Sequence, residues 1–252
     1  MAMQFRAEVT ALHVVEVASA NSAYESLVAR AREQMDKLIT QDLRGCVVVP
    51  YFERGDPAQI ILSYARNGHF DLIMIPTHGY GPFRRFLLGS VTAKILHDAA
   101  CPVWTSAHLE TRPPTGDVVI RKVLGAVDFG PRSSAVLQVA SQVAEKFHAI
   151  LIAVHVIPIP SPFMEGYWIQ DWRTEARKAI PAQLQKLLPA VSPAAAIEVL
   201  EGSPAAPLSD AAERLDADLL VIGRSGASAT GESVGTNAYA IIARSPCPVL
   251  SI

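Results

Sequence analysis

Three cysteines, Cys46, Cys101 and Cys247, are all that the 252 residues contain, and no two of them form a Cys-x-x-Cys pair. An odd count so widely spaced excludes a disulfide framework and leaves buried, reduced thiols. Charge of one sign is also missing. With 22 basic and 24 acidic residues the net charge is −2, too little field to draw nucleic acid or an anionic membrane. The longest apolar runs, such as 71–76 and 149–158, fall short of the roughly 18 residues a membrane helix needs and read as buried strands. The N-terminus, MAMQFRAEVTALHVVE, has no basic region followed by an apolar stretch and a small-residue cleavage site, so the expected compartment is the cytoplasm. No His-Glu-x-x-His and no paired His or Cys at ligand spacing suggests a metal, and no Gly-Lys-(Ser/Thr) suggests an efficient P-loop ATPase. What is present is core material: half the residues are hydrophobic and 18% are charged, the balance of a compact globular chain.

The sequence is also self-similar. VTALHVV after Phe5-Arg6-Ala7 aligns with ILIAVHVI after Phe147-His148-Ala149, pairing His13 with His155 at an offset of 142. Gly55-Asp56-Pro57-Ala58 aligns with Gly202-Ser203-Pro204-Ala205, and the strand-like runs 71–75 and 218–222 also align, both at 147. Gly89-Ser90 with Gly235-Thr236, and Cys101-Pro102-Val103 with Cys247-Pro248-Val249, align at 146.

Periodicity in the second copy predicts strands at 122–127, 150–157, 195–200, 218–222 and 249–252. Helices are predicted at 133–147, 172–188, 205–215 and 236–243, with Pro181 expected to kink or split the second of these. Short apolar strands alternating with helices mean an α/β fold, a parallel sheet covered on both faces. The first copy repeats this order from the end of its first helix. Its first strand and nearly all of that helix would fall before Met1, so a start upstream of Met1 is expected. The other ways to close the gap are a second segment or subunit, or direct pairing of strands two and four. The predicted domains are 1–106, incomplete at its N-terminus, and 117–252, complete, joined through the Pro113-Pro114 and Gly116 region.

Ligands in such sheets bind beyond the carboxyl ends of the strands. After the fourth strand the first copy reads Pro76-Thr77-His78-Gly79, nine residues, then Gly89-Ser90; the second reads Gly223-Arg224-Ser225-Gly226, eight residues, then Gly235-Thr236. Glycines let backbone amides approach an anion, a hydroxyl adds a donor, and a helix start offers unpaired N–H groups. The structural alternative is a plain turn with Ser90 or Thr236 as helix cap. His78 sits within the first loop without an acid beside it in sequence, and His13 and His155 read as satisfied strand-end histidines.

These loops resemble the Gly-x2-Gly-x9-Gly-(Ser/Thr) motif of universal stress proteins, and THGYGPFRRFLLGSVTAKIL and SPCPVLSI resemble that family's most typical text. Lys122-Val123-Leu124 with Ala126-Val127-Asp128-Phe129-Gly130 is similar to the family's first strand. The resemblance implies two tandem doubly wound parallel five-stranded sheets, adenine nucleotide alpha hydrolase-like, in strand order 3-2-1-4-5, the first copy lacking its first strand and helix. It implies ATP or a related adenine nucleotide, alone or with Mg, as ligand. By residue, the implied nucleotide contacts are Pro76, His78, Gly79, Gly89, Ser90, Asp128, Gly223, Gly226, Gly235 and Thr236, with no catalytic residue and no protein-held metal. Two departures stand out. Pro76 replaces the first motif glycine in copy one, and copy two has a spacer shorter by one residue that carries Glu232. Arg84 and Arg85 in copy one's spacer could neutralise a polyphosphate, or simply be solvated. Pro158 to Tyr167 is expected to be a flap or a plain loop. The competing readings are a regulatory nucleotide-binding stress module, an empty scaffold of the same fold, and a weak ATP hydrolase. For assembly, the last strands, 103–105 and 249–252, are expected at sheet edges, able to pair the copies with each other or with another chain.

Overall fold

A computed structural model describes residues 1–16, 22–77, 88–106, 119–158, 167–188, 195–224 and 236–252. Among them the chain divides into two compact units, one over Met1–Asp71 and one formed by the described residues from Leu72 onward.

The first unit runs α1 (Ala2–Phe5), β1 (Val9–Val15), α2 (Ser22–Gln41), β2 (Val48–Arg54) and α3 (Pro57–Asn67). β1 and β2 pair in parallel with Val9 opposite Val48 and Val15 opposite Arg54, a two-stranded sheet of its own. The start of α3 is dictated locally. Asp56 is its N-cap, accepting from the Gln59 amide at 2.8 Å, and Pro57 takes the first helical position, where a missing N–H costs nothing.

The second unit contains β3 (Ile73–Ile75), α4 (Ser90–Asp98), β4 (Val103–Thr105), β5 (Lys122–Val127), α5 (Ser133–Phe147) and β6 (Ile150–Ile157), followed by α6 (Tyr167–Leu187), β7 (Ala196–Glu201), α7 (Ala205–Arg214), β8 (Leu219–Ile222), α8 (Thr236–Arg244) and β9 (Val249–Ser251). Its seven-stranded sheet has the order β3-β4-β9-β8-β5-β6-β7. The five strands of the second copy therefore stand as 3-2-1-4-5, all parallel. Strand one, β5, is central, and Val123 and Leu124 on it are fully buried. Strands four and five of the first copy extend the same sheet, with β4 antiparallel to β9 and Trp104 opposite Leu250. Hydroxyls reinforce this junction reciprocally: Thr105 Oγ1 donates to Val249 O at 3.3 Å and Ser251 Oγ to Val103 O at 3.1 Å. Both edges of β4 and of β9 are thus paired within the chain.

The repetition reaches single backbone bonds. Arg6 and His148, 142 apart, both close a helix in the left-handed region, with φ of 52° and 54°. The residues that follow bond back alike, Ala7 N to Ala2 O and Ala149 N to Ala144 O. Gly55 (φ 145°) and Gly202 (φ 131°) hold conformations that suit glycine, and their amides bond to Val15 O and Ile157 O at the ends of β1 and β6.

Two expectations change. α6 begins at Tyr167 and runs through Pro181 without splitting; the buried side chains Ile180 and Leu184 anchor it on both sides of the lost bond. Among the described residues β1 and β3 stand in different sheets, so one alternative to the expected upstream start, direct pairing of strands two and four, is not realised. No helix of the described residues is long and apolar enough to cross a membrane.

Candidate functional site

Beyond β5 the chain turns sharply into α5. Asp128 Oδ1 accepts from Gly130 N at 2.8 Å and from Ser133 Oγ at 3.3 Å, an Asx turn that fixes the carboxylate. The N-cap position of α5 belongs to Arg132, so Asp128 serves the turn rather than the helix start. Phe129 is held at φ 62°, an uncommon conformation for a bulky residue. Its ring lies 4.5 Å from that of His155, whose Nδ1 is 2.8 Å from Val127 O and so carries the proton. A side chain at Gly130 would bring Cβ to 2.9 Å from Asp128 Oδ1, so glycine there keeps the carboxylate in place.

Asp128 opens onto a cavity of about 470 Å³ at the carboxyl ends of β5 and β8, within the volume range of small-molecule sites. Its polar lining comes from Asp128, Arg132, Ser133, Gly223, Arg224 and Asn237, while Val136, Val154, Val156, Leu208 and Ile241 supply apolar wall. Asn237 and Ala238, in the first turn of α8, line it as well. Among the described residues a helix start and the guanidinium-bearing Arg132 thus share the cavity with the Asp128 carboxylate, the charge pattern for a ligand with hydroxyl groups and an anionic part.

Arg224 follows Gly223 directly. It is 6% exposed; its Nη1 donates to Leu96 O at 2.8 Å, its Nη2 to Cys101 O at 2.7 Å, and its Nε has no partner among the described residues. Burial lowers its pKa, and the neighbouring charge of Arg132 lowers it further. Tyr239 Oη donates to Ala93 O at 3.1 Å, and burial raises its phenol.

Of the residues singled out from sequence, Asp128 and Gly223 come together in this cavity, and Thr236 opens the helix whose next residues line it. Pro76, Gly89 and Ser90 do not line it. They cluster around the start of α4, where Gly89 N donates to Thr77 O at 2.8 Å and Thr92 Oγ1 to Pro76 O at 2.9 Å. Gly89, not Ser90, is the N-cap there, and Ser90 is exposed. His78, Gly79, Gly226 and Gly235 lie outside the described residues, as do Arg84, Arg85, Glu232 and 159–166 of the expected flap. Sequence reasoning missed Arg132, Arg224 and Asn237. The available signal was position: each falls within four residues of Asp128, Gly223 or Thr236.

Comparison with known proteins points to one family. The profile of the Universal stress protein family matches residues 1–106 and 120–252. Universal stress protein A homolog 1 of Coxiella burnetii is 32% identical over 150 residues, covering 52% of this chain and 95% of that protein. A universal stress protein from Thermus aquaticus is 26% identical over 136 residues, 53% of this chain and 99% of the relative. A crystal structure of a universal stress protein from Archaeoglobus fulgidus superposes with a TM-score of 0.69 at 23% identity, over 97% of this chain and 85% of that one, and shares the fold. The chain belongs to the universal stress protein family.

Proposed function

We propose that this chain is a cytoplasmic stress-response module with two domains, 1–106 and 117–252, the second of which binds ATP or a related adenine nucleotide and reports its occupancy to other components. One observation carries the reading: Asp128, held in an Asx turn, shares a 470 Å³ cavity with Arg132, Arg224 and the first turn of α8. The carboxylate suits ribose hydroxyls, the aliphatic wall suits a base, and the helix start with Arg132 suits phosphates. No step of chemistry is needed for such a module. The empty-scaffold alternative draws less support, because the strand edges that would serve assembly, those of β4 and β9, are taken up inside the chain. Calorimetric titration with ATP, with and without Mg, tests the reading. Binding that weakens on Asp128→Ala supports it; absence of heat and of any co-purifying nucleotide refutes it.

A further inference from the structure

We infer that Arg224 couples occupancy of the Asp128 cavity to the seating of α4 and β4 on the second copy, so that an anionic ligand tightens this junction. The inference rests on the reading above and adds to it a route by which occupancy is felt elsewhere.

Arg224 is anchored on both sides of that route. The residue, at the end of β8, lines the cavity, and its amide donates to Ile252 O at 2.8 Å. Its side chain leaves in the direction of the first copy and holds two carbonyls there. Leu96 O belongs to the last turn of α4, and Cys101 O lies two residues before β4. One arginine therefore closes β8, the C-terminus of the chain, the end of α4 and the approach to β4.

Such a residue is costly. An arginine that is 6% exposed gives up most of its hydration, and here two neutral carbonyls replace it while Nε has no partner among the described residues. The carbonyl end of α4 offers only partial negative charge. No ion pair to a carboxylate of the described residues offsets the rest, and Arg132 adds a second positive charge nearby. Negative charge entering the cavity offsets that cost and favours the arrangement in which both carbonyls are held.

The position is particular to the second copy. At the offset of 147, residue 224 corresponds to Thr77, whose short side chain cannot span such a junction. A second tie runs in parallel. Tyr239 lies on α8, whose first turn lines the cavity, and its hydroxyl donates to Ala93 O of α4. Both the strand side and the helix side of the cavity are thus fastened to α4. Linkage requires reciprocity: whatever factor ligand contributes to seating, seating contributes to affinity.

Hydrogen exchange of the full chain with saturating ATP tests this. In the wild type, exchange should slow both at 128–136, beside the cavity, and at 91–105, about fivefold or more at the latter. In Arg224→Met, slowing at 91–105 should vanish while some protection at 128–136 persists, and ATP affinity should fall by a similar factor. Tyr239→Phe, which deletes one hydroxyl and so keeps the test available if Arg224→Met misfolds, should reduce the slowing at 91–105 in part. ATP-dependent slowing at 91–105 undiminished in both variants overturns the coupling. So does wild-type protection confined to 128–136, which leaves nucleotide binding standing. No protection anywhere in the wild type removes the nucleotide reading and the coupling together.

Discussion

The two copies use nearly the same residues to different ends. β6 and β1 align residue for residue, yet most of β6 is buried while β1 is half-buried up to Val15. β6 lies between β5 and β7, whereas β1 pairs with β2 alone among the described residues. The difference extends to the aligned histidines. His155 holds the carbonyl of Val127 and meets the Phe129 ring, tilted, at 4.5 Å, beside Asp128; His13 has a tilted contact with the Phe52 ring at a longer 6.2 Å. In the proposed function a loop that leads into a helix start is half of a binding site. The other half is the acid-bearing turn beyond a central strand, and among the described residues it stands in the second copy.

That contrast can be broken in several ways. The largest effect should come from packing. Leu151→Ala in β6 empties a buried position and should cost about 2–5 kcal/mol. Leu12→Ala in half-buried β1 should cost well under half of that, as read by urea denaturation monitored through hydrogen exchange in each strand. If the two cost the same, the difference in burial has no energetic weight.

Next in size is the carboxylate. Asp128→Ala should weaken ATP by about 10- to 100-fold, the worth of hydrogen bonds to a charged group, while Ser90→Ala, at the exposed start of α4, should change affinity less than about twofold in calorimetric titration. A larger loss from Ser90→Ala would move the site to the first copy. Gly130→Ala sharpens the point. The added Cβ would meet Asp128 Oδ1 at 2.9 Å and displace the carboxylate, whereas at Gly223 a Cβ meets its neighbours at an ordinary 3.6 Å. Gly130→Ala should cost about tenfold in ATP affinity without loss of fold; retention of full affinity would mean that the position of Asp128 is immaterial.

Much of this arrangement was legible beforehand. The bounds 122–127, 133–147 and 150–157 match β5, α5 and β6, because continuous apolar runs and helical spacing at a sheet's centre coincide with what is buried. The order 3-2-1-4-5 also stands, through a resemblance that included Asp128. What escaped was tertiary. Pairing of the copies through their last strands is one of the two expectations for 103–105 and 249–252, but local periodicity cannot say that β4 and β9 join antiparallel within one sheet of seven strands. An arginine in a polar, glycine-bearing loop reads as solvated; Arg224 is buried only because carbonyls of another copy come to meet it.

The smallest expected effect concerns the aligned cysteines. Cys247 is buried and Cys101 partly exposed. Burial raises the Cys247 thiol above its ordinary value. A raised folded-state value favours the protonated form, so the associated stability is intact below the unfolded pKa of about 8.5 and is lost as pH climbs above it. Cys247 should therefore alkylate more slowly than Cys101 at pH 8, and Cys247→Ala should flatten the alkaline fall in stability. Equal labelling rates would show that the two environments do not differ as their burial implies.

The central claim, that a complete nucleotide site stands in the second copy alone, is tested most directly by counting. Protein saturated with ATP, freed of excess and extracted with acid, should release close to one adenine nucleotide per chain, and Asp128→Ala should release almost none. Two nucleotides per chain, or an unchanged yield from Asp128→Ala, would contradict it.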